Sequence, residues 1–218
     1  MLYNTEPTEF NIIQPLNYKN PLPAWGVLIL EFIAPRILLG VDTVTKTCFS
    51  SGNRTGRKKL IQLALAGYLK RYEISTSERH FIAYSLGLEG MRSTRVIAPE
   101  VDIIKAQELI IANEFCHKYV ITNFILWPTK SLLVGQIELN GNKYSLWCPR
   151  RTEKPKRIKS LQNELPLSSE GLIVIAPNLR YIYTIAEHMT GLYVPVFFCI
   201  DSILDRFMRL DNGVLVPV

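Results

Sequence analysis

The sequence of 218 residues predicts an α+β fold in two parts, and three observations support this fold class. Apolar residues recur at spacings of three and four over residues 25–66, which is typical of helices. Two runs rich in aromatic and β-branched residues, 68–74 and 80–86, are joined by a polar loop and indicate a hairpin. Beyond residue 100, short apolar runs precede an alternation of strand and helix patterns, which predicts a mixed α/β domain.

The first part is predicted to contain an N-terminal arm and three helices. Residues 1–24 carry prolines and asparagines without sustained periodicity and form the arm. Residues 25–49 contain two helices that Pro35 separates, because proline commonly lies just past a helix end. The third helix covers residues 54–66 and ends before Gly67, a residue type that favours a helix C-terminus.

Positive charge concentrates around this third helix. The chain has a formal net charge of +6, whereas residues 46–95 alone hold ten Lys or Arg against three acidic residues. A second basic run lies between residues 143 and 159, so the remainder of the chain is acidic on balance. This distribution favours a polyanionic partner, with nucleic acid first and an anionic membrane second.

The order of three helices and a hairpin resembles the winged-helix family, a relative of the helix-turn-helix. The resemblance rests on residues 57–71, which read RKKLIQLALAGYLKR, and on residues 81–90, which read FIAYSLGLEG. In that family the first stretch is a recognition helix that ends in a glycine and leads into a wing, and the second closes the hairpin. The resemblance covers residues 25–98, about a third of the chain, and implies binding of double-stranded DNA.

The resemblance places the DNA contacts on the third helix, beside it and on the wing. They are Lys46, Asn53, Arg54, Thr55, Arg57, Lys58, Lys59, Lys70, Arg71 and Arg79. Arg54, Arg57 and Lys58 share one helix face, while Leu60 and Leu63 turn toward the core. A helix fits the major groove, where Arg and Lys pair with guanine or neutralise phosphates. The alternative is a solvated basic face on a core helix, and the cations of the wing favour DNA contact over it.

The second part is predicted to begin with a helix and to continue mainly with strands. The turn at residues 140–142 reads Asn-Gly-Asn and favours a hairpin. The predicted order is a helix at 102–120, strands at 124–127, 132–139, 143–147 and 172–176, a helix at 178–189, a strand at 194–199 and a last helix or turn at 202–210.

This layout after a winged helix resembles the replication-relaxation-like proteins of Gram-positive plasmids and phages. Their second domain is similar to a degenerate restriction endonuclease. The resemblance therefore implies an α/β domain over residues 99–218 that serves dimerisation or binds a partner. Specific binding to an operator commonly uses a dimer, and we expect a homodimer.

The second basic run has two interpretations. It forms either a second loop that contacts phosphates or a flexible linker, because charge runs are commonly solvated. The cations in question are Arg150, Arg151, Lys154, Lys156 and Arg157.

The sequence lacks the patterns of common catalytic and cofactor sites. An endonuclease of the type named above needs an acidic residue and then an acid-x-Lys triplet to hold a divalent metal, and the nearest candidate, Glu138 with Lys143 further on, has the wrong spacing. Three histidines and four cysteines are scattered singly, and Gly-rich phosphate-binding motifs are absent. We therefore expect no metal, no cofactor and no catalytic residue. The alternatives are a nuclease or DNA-processing enzyme with an unrecognised site, and a protein-interaction module.

These features predict a non-enzymatic, sequence-specific DNA-binding protein that acts as a regulator or replication accessory factor of a mobile element. No basic-then-apolar leader opens the chain. The longest apolar stretch, residues 25–34, is interrupted by Glu31 and is too short to span a bilayer. We therefore expect no membrane partner and a cytoplasmic location.

Overall fold

In the computed structural model the chain forms two compact units, residues 1–113 and 114–218. Each unit combines helices with a sheet, so the predicted α+β class is confirmed at that level. The domain limits drawn from the sequence stay a prediction. The structure describes residues 9–13, 15–16, 21–49, 53–76, 79–127, 131–151, 153–211 and 214–218.

The first unit places three helices before an antiparallel hairpin. Its sheet has the order β1-β3-β4-β2, in which every described neighbour is antiparallel. The elements are β1 (Glu9–Ile13), α1 (Ala24–Ile33), a 3-10 turn (Ala34–Arg36), β2 (Leu39–Gly40), α2 (Val41–Cys48), α3 (Asn53–Leu65), β3 (Leu69–Ser75), β4 (His80–Leu86), α4 (Leu88–Thr94) and most of α5 (Ile103–Lys118).

The helix and hairpin predictions for this unit are confirmed. α1 ends at Ile33, and Pro35 lies in the 3-10 turn that separates it from α2. α3 begins one residue before the predicted start. Gly67 has a φ of +80°, the left-handed conformation that glycine adopts readily after a helix. The short strand β2 and the helix α4 were not predicted.

The predicted N-terminal arm contributes a strand to this sheet. β1 runs antiparallel to β3 along its whole length, with Phe10 opposite Ile74. The Phe10 ring also stacks on the Tyr72 ring at a centroid distance of 5.6 Å. Residues 1–8, 14 and 17–20 of the predicted arm lie outside the described residues.

The core of the first unit forms where the three helices meet the hairpin. Ile29 and Leu30 of α1, Leu60 and Leu63 of α3, and Tyr84 of β4 are all buried in it. These side chains recur at helical spacing in α1 and α3, so each helix keeps its opposite side for solvent.

The second unit is built on a seven-stranded mixed sheet in the order β11-β10-β9-β8-β7-β6-β5. The β7-β8 and β8-β9 pairs are parallel, and the other pairs are antiparallel. Its elements after α5 are β5 (Phe124–Leu126), β6 (Gly135–Leu139), β7 (Asn142–Trp147), α6 (Pro155–Lys159), α7 (Leu161–Glu164), β8 (Gly171–Ala176), α8 (Leu179–Ala186), β9 (Val196–Ile200), β10 (Ile203–Asp211) and β11 (Val214–Pro217).

Most of the predicted strands of this unit are confirmed, and one prediction is wrong. Asn140 and Gly141 both have positive φ, at 54° and 83°, which suits the tight hairpin turn that the sequence predicts. Residues 202–210 were predicted as a helix or turn. They lie instead almost wholly in β10, which pairs with both β9 and β11. The segment forms a strand because it makes backbone hydrogen bonds with two neighbouring strands. The sequence pattern of the segment itself does not show these partners.

Every residue of the central strand β8 is buried. Because β8 is covered on both faces, it reads as a continuous apolar run rather than an alternating one. Among the described residues, no helix has the length and apolar character needed to cross a membrane.

Candidate nucleic-acid interface

The basic helix α3 has one buried and one exposed face, as the sequence predicted. Leu60 and Leu63 are buried, at 0% and 2% exposure, whereas Arg54, Arg57 and Lys58 are exposed. α3 contains no acidic residue. Its solvent face therefore carries only positive charge.

Close packing between α2 and α3 fixes the position of this face. Gly56 lies where the two helices meet, and a Cβ at this position would stand 2.7 Å from Cδ2 of Phe49 and 2.9 Å from Cγ2 of Thr45. At these separations a neighbouring side chain would have to shift, so glycine is what lets the two helices approach this closely. Arg54 and Lys58, exposed before and after Gly56, lie on this closely packed helix.

Two of the predicted DNA contacts on α3 are already engaged within the first unit. The Arg57 Nη2 donates to Oδ1 of Asp42 on α2 at 2.8 Å, with both side chains about half exposed. The Lys59 ammonium lies 4.9 Å from the Trp25 ring centre and 5.3 Å from the Phe49 ring centre. Lys59 thus packs over aromatic rings, whereas Arg57 stays at the surface beside a carboxylate.

Two further positions complete this surface. Thr55 is exposed on α3, and Lys46 is exposed near the end of α2. Asn53 begins α3, and its side chain lies outside the described part of the chain. Within that part, Arg54, Lys58 and Lys46 form no ion pair, so their charges face solvent. We call Lys46, Arg54, Thr55, Arg57 and Lys58 the α3 surface.

The hairpin separates its three predicted DNA contacts into different environments. Arg79 is exposed at the tip, where its guanidinium carbon lies 4.9 Å from the Phe81 ring centre. The Lys70 ammonium lies 5.5 Å from the Tyr72 ring centre. Arg71 is largely buried, and its Nη2 lies 2.6 Å from Oε1 of Glu73. Residues 77 and 78 of the loop lie outside the described residues.

Arg71 is turned toward Tyr84 and not toward solvent. Burial raises the pKa of the Tyr84 hydroxyl, and the guanidinium of Arg71, which hydrogen-bonds to that side chain, opposes this rise. Tyr84 lies directly opposite Arg71 in the hairpin register. Arg71 therefore stabilises the sheet, and of the hairpin cations Arg79 is the one placed at the exposed tip.

The second basic run is not one continuous surface. Arg150 is 3% exposed, its Nη1 lies 3.2 Å from Oδ2 of Asp201, and its Nη2 donates to the Ile175 carbonyl at 3.2 Å. It joins the carboxyl ends of the parallel strands in the second unit. An arginine held in this way cannot reach a phosphate while the unit stays folded.

The remaining cations of this run lie at or near the surface. Arg151 and Arg157 both pair with Glu153, at 2.8 Å and 3.6 Å. Lys154 and Lys156 are exposed, and Lys156 lies in the short helix α6. Two exposed lysines thus lie near each other here, and Glu153 neutralises part of the positive charge beside them.

The structure adds two exposed residues to the basic helix that the sequence reasoning did not single out. Ile61 is 41% exposed, and Gln62 is also exposed, one turn after Lys58. The signal was available, because the heptad-like positions of Leu60 and Leu63 leave residues 61 and 62 on the other side of the helix.

Among the described residues, the candidate catalytic and metal-binding side chains are either far apart or already hydrogen-bonded. Oε2 of Glu138 accepts from Nδ2 of Asn123 at 2.6 Å, and Glu138 lies opposite Lys143 in the β6-β7 register. Over the described ranges, no three His, Cys, Asp or Glu side chains are grouped so that they could hold a metal ion. Burial raises the pKa of the Cys199 thiol to about 12. A thiol with such a pKa is a poor nucleophile near neutral pH.

Comparison of the chain with protein-family models, curated proteins and solved structures finds no match.

Proposed function

We propose that the first unit is a winged-helix module that binds double-stranded DNA, with α3 as its recognition helix and the β3-β4 hairpin as its wing. The order of the elements supports this assignment, because the short strand β2 pairs with β4 and precedes the α2-α3 pair. The observation that carries the proposal is the α3 surface. It is exposed, basic and free of acidic residues on α3 itself.

In this proposal α3 enters the major groove and α2 lies against the backbone. The first turns of a recognition helix reach base edges, and α3 places Arg54, Thr55 and Lys58 in those turns. Arg57 and Lys46 lie beside them and neutralise phosphates, while Arg79 at the hairpin tip reaches the backbone next to the groove. Gly56 supports this arrangement because it lets α2 approach α3 closely.

The wider role follows the family resemblance. We propose a sequence-specific regulator or replication accessory factor of a mobile element, without catalytic activity, that acts in the cytoplasm. The second unit then serves dimerisation or binds a partner. Lys154 and Lys156 are available for a second phosphate contact, whereas the buried Arg150 supports the fold of its own unit.

Hydrogen exchange tests where DNA binds. The full chain is exposed to deuterated buffer with and without an excess of random-sequence duplex, and exchange is compared peptide by peptide. We expect slower exchange in peptides that cover α2, α3 and residues 76–81, and loss of this protection when the salt concentration is raised. Duplex binding that leaves exchange in α3 unchanged would overturn the assignment of α3 as the recognition helix.

A further inference from the structure

The exposed face of α3 carries an apolar and an amide side chain as well as cations. Ile61 is 41% exposed, and the core residues described for this unit include its neighbour Leu60 but not Ile61. Gln62 is exposed next to it. Gln62 also borders a pocket that Trp25 and Tyr68 help to line. Ile61 takes no part in the core of the first unit, and neither side chain carries a charge that attracts phosphates.

Helix geometry places these two residues in line with the cations. With 3.6 residues per turn, Lys58 and Gln62 lie one turn apart on the same face, and Ile61 lies three residues after Lys58. Four residues correspond to about 6 Å along the helix axis. Base pairs stack at about 3.4 Å in duplex DNA, so Lys58 and Gln62 are spaced to reach bases about two pairs apart.

The three side-chain types match three different features of base edges in the major groove. A lysine pairs with O6 and N7 of guanine, and a glutamine binds N6 and N7 of adenine in a bidentate fashion. An apolar side chain contacts the 5-methyl group of thymine. Phosphates offer none of these distinctions, so side chains of the Ile61 and Gln62 types are useful where a helix faces base edges.

We propose that Ile61 and Gln62 determine the sequence preference of this protein, an inference that rests on the proposed DNA-binding function. Ile61 contacts the 5-methyl group of a thymine, and Gln62 binds an adenine about two base pairs from a guanine that Lys58 reads. The preferred duplex therefore combines guanine with neighbouring A·T pairs.

Changes to single functional groups of the DNA bases test this inference. A duplex is first selected from a random pool by binding to the full chain. Each thymine is then replaced by deoxyuridine, which pairs identically but lacks the methyl group, and each adenine by 7-deazaadenine, which lacks N7. We expect one deoxyuridine position to weaken binding about fourfold, the effect of one buried methyl group. One 7-deazaadenine position should weaken binding by roughly five- to tenfold.

The protein variants must remove these effects selectively. Ile61→Ala should abolish the deoxyuridine effect and keep the 7-deazaadenine effect, whereas Gln62→Ala should do the reverse. Leu28→Ala, which truncates an exposed leucine on α1, is the matched control and should keep both.

The outcomes separate this inference from the proposed function. Salt-sensitive duplex binding that no deoxyuridine or 7-deazaadenine position weakens would overturn the inference and leave DNA binding intact. The same holds if Ile61→Ala still discriminates thymine from uracil. Absence of any duplex binding by the wild-type chain would instead refute the proposed function itself.

Discussion

The guanidinium of Arg57 and the carboxylate of Asp42 meet at 2.8 Å and join α3 to the first turn of α2 at the protein surface. Asp42 is an acidic side chain directly beside the basic α3 surface. It pairs with Arg57, and it also offsets part of the positive charge that a phosphate would meet. Exposed pairs of this kind contribute little to stability, so the main effect of Asp42 is on the local field.

Asp42→Asn should therefore strengthen DNA binding while leaving the fold intact. The substitution removes one negative charge and releases Arg57 to a phosphate. We expect the Kd for a random duplex at low salt to fall by roughly 1.5- to 5-fold, the range for one exposed charge pair. Fluorescence anisotropy measures this, with Asp211→Asn in the second unit as the charge-matched control. Weaker binding by Asp42→Asn would contradict the placement of DNA at this surface.

Gly56→Ala should destabilise the first unit although alanine favours helices. The helix-propensity gain is about 0.5 to 1 kcal/mol, but the new Cβ would stand 2.7 Å from the Phe49 ring. Overpacking of this type costs about 1–3 kcal/mol. We expect a net loss of about 1 kcal/mol in urea unfolding, against a change within about 0.5 kcal/mol for Gln62→Ala at an exposed position of the same helix. Equal stability of both variants would refute the close α2-α3 approach.

Local sequence signals predicted most of the helices and the hairpin of the first unit. The spacing of Leu60 and Leu63 fixed the buried side of α3, and Gly67 marked its end. The strand β1 was not predicted, because its pairing with β3 joins residues some sixty positions apart and leaves no short-range pattern. The strand β10 was mistaken for a helix or turn for a different reason, because its apolar residues, at positions 203, 204, 207, 208 and 210, do not alternate as they do in a half-buried strand. Strand identity depends on partners, whereas a helix forms its hydrogen bonds within one segment.

The sequence predicted which residue types belong to the candidate site, but it did not predict which of these side chains are buried. Arg54 and Lys58 are exposed as expected. Arg71 and Arg150 carry the same charge, but the structure buries them beside Glu73 and Asp201. A count of charges cannot distinguish these cases, because the acidic partner of Arg150 lies about fifty residues away in the sequence. The burial of Arg71 and Arg150 becomes visible only when the pairing of the strands is known.

Asn113 should stabilise the backbone conformation of residues 36–38, which precede α2. Its Nδ2 donates to the carbonyls of Arg36 and Leu38 at 3.2 Å and 2.9 Å. Ile37 between them has a positive φ of 62°, a conformation that needs support from its surroundings. Asn113→Ala leaves these carbonyls without that donor and should cost about 2 kcal/mol of unfolding free energy.

The control for Asn113 is Asn123→Ala. The amide of Asn123 also donates a hydrogen bond, to Glu138, but at an exposed site where water replaces it. We expect this variant to lose less than about 0.5 kcal/mol. Chemical denaturation measures the free energy of unfolding of both variants. Equal losses of this free energy would show that the buried amide has no special role.

The buried thiol of Cys199 should make stability fall at alkaline pH. Burial raises its pKa from the ordinary value of 9.0 to about 12 in the folded chain. In the window between these values the unfolded chain binds fewer protons than the folded chain, so unfolding becomes more favourable as pH rises. The contribution is fully present below pH 9.

Cys199→Ala tests this dependence. Between pH 8 and pH 10, the free energy of unfolding of the wild-type chain should fall by roughly 1.4 kcal/mol more than that of the variant. The comparison of slopes cancels the cavity that the substitution creates, because the cavity acts equally at each pH. Parallel slopes in urea unfolding across this range would contradict the burial of the thiol.

The salt dependence of duplex binding tests the central claim most directly. Each phosphate that a cation neutralises contributes about 0.9 to the slope of log K against log salt. The variant that combines Arg54→Ala, Arg57→Ala and Lys58→Ala should therefore bind more weakly, with a slope smaller in magnitude by about 2.7. The control that combines Arg180→Ala, Arg206→Ala and Arg209→Ala removes the same charge from exposed positions of the second unit and should keep the wild-type slope. Equal slopes for the two variants would contradict the assignment of α3 as the DNA-binding helix.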